Sequence, residues 1–250
     1  MSKNEKLIVN GKRTDGRKPN EFRPLSIKAH VLSNTEGSAL VKWGNNVILA
    51  GVRGPRECIP KHMTDPFKAV LKVRYSMAPF SSKEEHGRSG PNRRSIEISK
   101  IIKHVFENVV ILEKFPKSQI EIYIEVLQSD GGTRCAAITA AAVALADAGI
   151  PMKDLVQAIA VGKVGDTILL DLNYVEDSAD NGSDMPIAVA GRNKEVLAFQ
   201  MDGMLTKEDM SIMFDMAFEA SEKIKEIQIK ALEEVYFTDE KGETERYIEL

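Results

Sequence analysis

A strand and a helix meet between Gln119 and Pro151 with only "SDGGTR" to join them, and this joint constrains the fold more than any other part of the chain. "QIEIYIEVLQ" alternates Ile120, Ile122, Ile124 and Val126 against Glu121, Tyr123 and Glu125. That two-residue period is a strand with one apolar and one wet face. The helix that follows carries Ala136, Ala137, Ala140, Ala141, Ala144 and Ala148. It presents little side chain on any face, so it can lie close against a sheet. Gly149 and Pro151 stop it. A buried helix, reached from a strand through a glycine turn, is the expected centre of the molecule.

Short strands and helices alternate on both sides of this centre. Upstream, strands are expected at Ile27–Ser33, Gly37–Trp43, Asn46–Val52 and Val70–Met77, with "GPRECIPKHMTDPFKA" as a loop. Ile98, Ile101, Ile102, Val105, Val109 and Leu112 fall at helical spacing and mark a helix from Arg93 to Leu112. Downstream come strands at Ala158–Val164, Thr167–Leu172, Pro186–Ala190 and Val196–Met201, then a long helix from Thr206 to Glu234. With 43% apolar residues and no linker, the pattern predicts a single α+β domain over residues 1–237. Its two similar lobes, mixed sheets packed against helices, cover about residues 12–150 and 151–237, and residues 238–250 form a polar tail.

Charge is distributed unevenly. Arg53–Lys100 holds 11 Lys/Arg against 5 Asp/Glu, whereas Met201–Leu250 holds 6 against 14, in a chain of net charge −3. A basic stretch in a mildly acidic protein suits a local anion or nucleic-acid site, or a solvated charged surface, rather than a general coat of positive charge. Cys58 and Cys135 form no CxxC and no Cys/His cluster, so neither a disulfide scaffold nor a zinc site is supported. The start "MSKNEKLIVNGKR" lacks an apolar signal core, and no apolar run reaches the length of a membrane span. A soluble cytoplasmic protein is expected. GxGxxG, GxxxxGK(S/T), HExxH and GxSxG are absent, which removes the usual nucleotide, metalloprotease and hydrolase readings.

Three segments carry residues suited to chemistry. At Ser129–Arg134 the unpaired N–H groups of a helix start, and the positive end of its dipole, point at whatever sits there. Thr133 is expected to cap that helix, and Arg134 adds a forked donor that matches phosphate. A cation at the positive end of a helix is unfavourable by about 0.3–1 kcal/mol unless an anion answers it. The segment therefore reads as a phosphate site, or as an ordinary helix start with a solvent-facing Arg. In "GPNRRSIEIS", Asn92 caps the next helix and Arg93 and Arg94 occupy its first turn, either as surface charge or as partners of two successive nucleic-acid phosphates. Asp171, Glu176, Asp177, Asp180 and Asp184 crowd into "DLNYVEDSADNGSDMPIA" between two apolar strands. This is a solubilising loop, or a site where one carboxylate gives a proton to a leaving oxygen and a second supports it or holds Mg²⁺. Asp184, directly before "MPIAVA", is placed most firmly. His62, His86, His104 and Cys135 lack partner spacing for a triad or ligand set and read as structural or as RNA contacts.

"TDGRKPNEFRP", "EGSALVKWGNNVILAGVRGP", "RRSIEIS", "LQSDGGTRCAAITAAAVALADAGIP" and "LLDLNYVEDSADNGSDMP" occur in the order and spacing of the RNase PH family of phosphate-dependent 3′→5′ exoribonucleases. The chain resembles that family over about residues 12–235. Within it, "GPRECIPKH", "YSMAPFSS" and the tandem Arg are similar to the catalytic ring subunit of archaeal exosomes more than to bacterial RNase PH. The resemblance implies an RNase PH-like two-lobed fold, with inorganic phosphate as co-substrate at Gly132, Thr133 and Arg134. It implies that Arg93 and Arg94 hold the RNA backbone and that Lys61 and His62 lie on a loop narrowing the RNA entrance. Asp184 is implied as general acid and Asp177 as its support, the two being also the candidate ligands of Mg²⁺. These aspartates stand one position further apart than in the family, so Asp180 is the alternative to Asp177.

The implied activity is phosphorolysis of single-stranded RNA to nucleoside diphosphates, with RNA tailing in reverse. The implied partners are an inactive RNase PH-like paralogue, alternating with this chain in a hexameric ring (a trimer of heterodimers), and RNA-binding cap subunits. A homohexameric RNase PH trimming tRNA 3′ ends and a non-catalytic RNA-binding ring subunit are the alternatives. Intact Arg134 and Asp184 speak against the second.

Overall fold

The computed structural model describes residues 7–9, 12–82, 91–179, 182–190 and 193–237. After a ribbon of β1 (Ile8–Val9) and β2 (Lys12–Arg13), a five-stranded sheet forms from β3 (Leu25–Ala29), β4 (Gly37–Trp43), β5 (Asn46–Glu57), β6 (Val70–Met77) and β7 (Ser118–Gln128). Its order is β3-β4-β5-β7-β6, antiparallel except for β6 and β7, which run parallel. A parallel pair needs a crossover, and α1 (Arg93–Val109), packed on β6, supplies it. The second sheet is antiparallel throughout, in the order β11-β10-β8-β9, from β8 (Val156–Val164), β9 (Thr167–Leu170), β10 (Gly182–Ala190) and β11 (Glu195–Phe199). A one-turn helix α3 (Tyr174–Asp177) stands between β9 and β10, and α4 (Lys207–Tyr236) covers β8 and β3.

The alanine-rich helix α2 (Thr133–Asp147) lies between the sheets, against β4 and β5 on one side and β8 on the other. Residues Cys135 to Leu145 are all buried, which is why small side chains recur around the whole helix. Contact is closest at Gly37, where an added β-carbon would stand 2.2 Å from the Ala148 nitrogen and 2.3 Å from the Ala144 oxygen. Ile120, Ile122, Ile124 and Val126 join this core, as the alternation requires.

Several strand ends and faces differ from the sequence pattern for local reasons. β3 stops at Ala29 and β9 at Leu170, because His30 (φ 56°) and Asp171 (φ 55°) adopt left-handed conformations that break the ladder. The outer face of β7 is not wet. Tyr123 and Glu125 are half-buried and Glu121 is buried beside Arg56, because β7 is flanked by β5 and β6. The chain after Val52 continues β5 to Glu57, leaving only a 3-10 turn at Lys61–Met63 in the expected loop. Leu112 belongs to a second such turn after α1 has ended at Val109. Among the described residues no helix is long and apolar enough to cross a membrane.

Candidate active site

The glycine turn ahead of α2 is clamped by polar side chains from distant parts of the chain. Gly131 and Gly132 have φ of 68° and 70°, which disfavours any β-carbon, and one on Gly131 would also stand 2.7 Å from the backbone of Asn173 and Tyr174. The Asn46 amide donates to the Gly131 carbonyl (2.7 Å) and accepts from the Asp130 N–H (2.7 Å). Arg23 donates to the carbonyls of Asp130 and Gly131 and, through Nε (2.8 Å) and Nη2 (2.6 Å), to the buried carboxylate of Asp171. Trp43 Nε1–H adds a bond to Asp171 Oδ2 (3.1 Å). Nearby, Arg13 forms a two-pronged pair with Glu176, both side chains fully buried. Glu176 also closes a capping box with Asn173, which starts α3 and so delivers Asp177 at its end. From Tyr174 to Asp177 the acidic segment is therefore a turn of helix rather than a loop.

These clamps border a cleft of about 460 Å³. Gly132, Thr133 and Arg134 line it from the start of α2, Arg94 and Glu97 from α1, and Asp177, Asp184, Gln200 and Asp202 from the second half of the chain. Asp184 lies inside β10, which begins at Gly182, and not ahead of it. It pairs with Gly162 on one side and bridges Asp202 on the other. Thr133 does not cap α2. The cap position is Gly132, which has no side chain to offer, and the Thr133 hydroxyl instead accepts from Tyr75 O–H (3.0 Å). The amides of Cys135 and Ala136 both bond to the Gly132 carbonyl, so those of Thr133 and Arg134 precede the first bonds of the helix.

Among the described residues, two buried polar atoms of the cleft have no protein partner, Nε of Arg134 and Oδ1 of Asp184. A donor and an acceptor so placed are costly in an inert cleft and suited to a ligand that answers both. Burial pushes the Asp184 carboxyl up to about 7, with the carboxylates of Asp177 and Asp202 adding to the shift and Arg134 opposing it. Burial between the cleft walls also raises Asp177, against the pull of Arg94 and Arg134. Near neutral pH Asp184 is thus poised between acid and carboxylate, close to a guanidinium, which is the condition a general acid requires. Cys135 is no nucleophile, because burial drives its thiol far up and keeps it protonated.

Among the described residues no three His, Cys, Asp or Glu side chains are disposed to hold a metal ion. Asp177 and Asp184 alone fit Mg²⁺, which takes one or two carboxylates and completes its shell with water and substrate phosphate. The unpartnered Asp184 Oδ1 is the natural donor.

Of the residues singled out by sequence, Gly132, Thr133, Arg134, Arg94, Asp177 and Asp184 meet at this cleft. Arg93 does not line it and is exposed on the first turn of α1. Lys61 and His62 lie exposed on their 3-10 turn away from the cleft lining, with Lys61 paired to Glu57 (3.1 Å). Asp180 and His86 fall outside the described residues. The structure adds Glu97, Gln200 and Asp202. Glu97 follows Arg94 on α1 at the spacing that shares a face, a signal available in the sequence. Gln200 and Asp202 follow a short strand with no motif around them and carried none.

Comparison with known proteins gives a consistent result. The 3′ exoribonuclease family (RNase PH) matches with its domain 1 over residues 21–151 and its domain 2 over residues 154–220. The exosome complex component Rrp41 of Nitrosopumilus maritimus is 50% identical over 228 residues, 91% of this chain and 93% of that protein. Its counterpart in Pyrococcus horikoshii is 51% identical over 232 residues, 92% of each chain. Among solved structures, rice Rrp46 superposes with a TM-score of 0.79 at 27% identity, covering 88% of this chain and all of that one. A chain from the Archaeoglobus fulgidus exosome with RNA bound to the active site gives 0.74 at 27% identity, covering 87% and 92%.

Proposed function

The chain belongs to the RNase PH family of 3′ exoribonucleases, and from that premise we propose that it is the catalytic ring subunit of an archaeal-type exosome, degrading single-stranded RNA by phosphorolysis. The observation that carries this reading is the meeting of Arg134, at the amide-rich start of α2, with Asp184, whose carboxyl burial pushes up, in one cleft.

In the proposed reaction, orthophosphate is held by Arg134 and the amides at the start of α2, while Arg94 steadies the terminal RNA phosphate. An oxygen of the orthophosphate forms a new bond to the last phosphodiester phosphorus. The bond from that phosphorus to the 3′ oxygen breaks, the electron pair leaves on the oxygen, and Asp184 protonates it. A nucleoside diphosphate departs. Since one phosphodiester and one diphosphate linkage exchange, the reverse reaction adds nucleotides from diphosphates. Asp177 supports the acid and would hold, together with Asp184 in its carboxylate form, a Mg²⁺ ion that neutralises phosphate charge. Positioning and charge stabilisation supply most of the rate. The proposed setting is a six-membered ring in which this chain alternates with an inactive paralogue beneath RNA-binding caps; the Rrp41 relatives are themselves named as exosome components.

The test is incubation of the chain, with and without its paralogue, on labelled oligoadenylate in buffer with and without phosphate. ADP formed only in the presence of phosphate is the expected outcome. AMP formed at equal rate without phosphate would mean that water attacks, and would refute the mechanism.

A further inference from the structure

We propose that Gln200 is a positioning residue for the phosphate step, its side-chain amide holding the Arg134 guanidinium in the cleft and keeping the Glu97 carboxylate from pairing with it. The inference rests on the reading of Arg134 as the phosphate ligand. Gln200 Oε1 accepts from Arg134 Nη1, while Gln200 Nε2 donates to Glu97 Oε1 (3.1 Å). An arginine only donates and a carboxylate only accepts, so the two partners fix the orientation of the amide between them. The Gln200 backbone is anchored as well, since its N–H donates to the Pro186 carbonyl (3.2 Å) on the strand that carries Asp184.

The neutrality of this side chain is the point. Arg134 must be held still, because a free arginine loses rotamer freedom on being ordered. A carboxylate holding it would neutralise the charge that phosphate needs. Gln200 supplies an acceptor without a charge and occupies the amide's other end with Glu97, the α1 carboxylate lining the same cleft. Without the amide, Arg134 loses its tether and Glu97 is released to approach it.

Phosphorolysis of oligoadenylate by the ring assembled with its paralogue, with phosphate and RNA varied separately, tests this. Gln200→Ala is expected to raise KM for phosphate about tenfold, the loss of one hydrogen bond to a charged group, and to leave KM for RNA within about twofold. Gln200→Glu, nearly the same shape, is expected to raise KM for phosphate further by pairing with Arg134. Adding Glu97→Gln to Gln200→Ala is expected to recover part of the lost phosphate affinity. An unchanged KM for phosphate in both Gln200 variants, or equal increases for phosphate and RNA, overturns the assignment. If instead the unaltered ring degrades RNA without phosphate, the reading of Arg134 fails first, so the two failures are told apart.

Discussion

Asp184 and Asp202 sit side by side as antiparallel partners, each backbone N–H donating to the other's carbonyl, at 3.1 and 2.9 Å. Two carboxylates are thereby fixed in one cleft, while Asp177 arrives separately from the end of α3. Their mutual repulsion adds to the effect of burial in holding Asp184 far above the ordinary aspartate range. The catalytic consequences follow from that crowding.

If Asp184 is the acid of the proposed reaction, the rate of phosphorolysis is expected to fall about tenfold per pH unit above roughly pH 7, and tailing, which would use the carboxylate, is expected to show the opposite limb. Asp202→Asn removes one raising charge and should move the limb to lower pH. Profiles of kcat against pH for the unaltered chain and for Asp202→Asn decide it; a limb unmoved by Asp202→Asn would remove Asp202 from the account.

The same shift sets a dependence of stability on pH. The folded pKa of Asp184, about 7, lies above the ordinary value of 3.8, so between these limits the folded chain binds more protons than the unfolded one. Stability therefore declines as pH rises through that window, and the full penalty stands above it. Asp184→Asn is expected to raise Tm at pH 8 by roughly 2–4 °C, about 1 kcal/mol, and to change it little at pH 4. Calorimetry at the two pH values checks the sign.

Separate variants distinguish the roles assigned to the charged residues. Arg134→Ala should lower phosphate-dependent decay by on the order of 10²–10³ with RNA affinity largely kept. Arg94→Ala should weaken RNA binding more than Arg93→Ala, since only Arg94 lines the cleft. Asp184→Ala should bind RNA and not degrade it. Filter binding and ADP release, measured on the same preparations, give both readouts.

Gly37→Ala tests the closeness of α2 to β4. The new methyl would meet helix backbone at 2.2–2.3 Å, which no rotamer change relieves. A loss of about 3 kcal/mol, or roughly 6–12 °C in Tm, is expected. Thermal unfolding close to that of the unaltered chain would mean that the helix and strand separate easily.

What was legible in the sequence was whatever repeats or punctuates. The alternation of Ile120 to Val126, the alanines of α2 and the glycine turn state their structure because each depends on neighbours in the chain. The acidic segment concealed α3, since its one sequence signal, Asn173 with Glu176 three positions on, was outweighed by a run of residues typical of loops. Thr133 matched a capping residue by type, yet Gly132 holds the cap position and Tyr75 claims the hydroxyl. Gln200 and Asp202 could not be read at all. Their relation to Arg134 and Asp184 exists only after the second sheet has closed on the helix.

Arg23 and Asp171, 148 positions apart, complete one another beneath the glycine turn. During synthesis the glycine turn must therefore wait for the later half of the chain to be clamped, because until then a guanidinium and an indole N–H lack their shared acceptor. Neither half holds the whole cleft by itself, and a protein cut short after α2 would lack the wall that carries Asp177, Asp184 and Asp202.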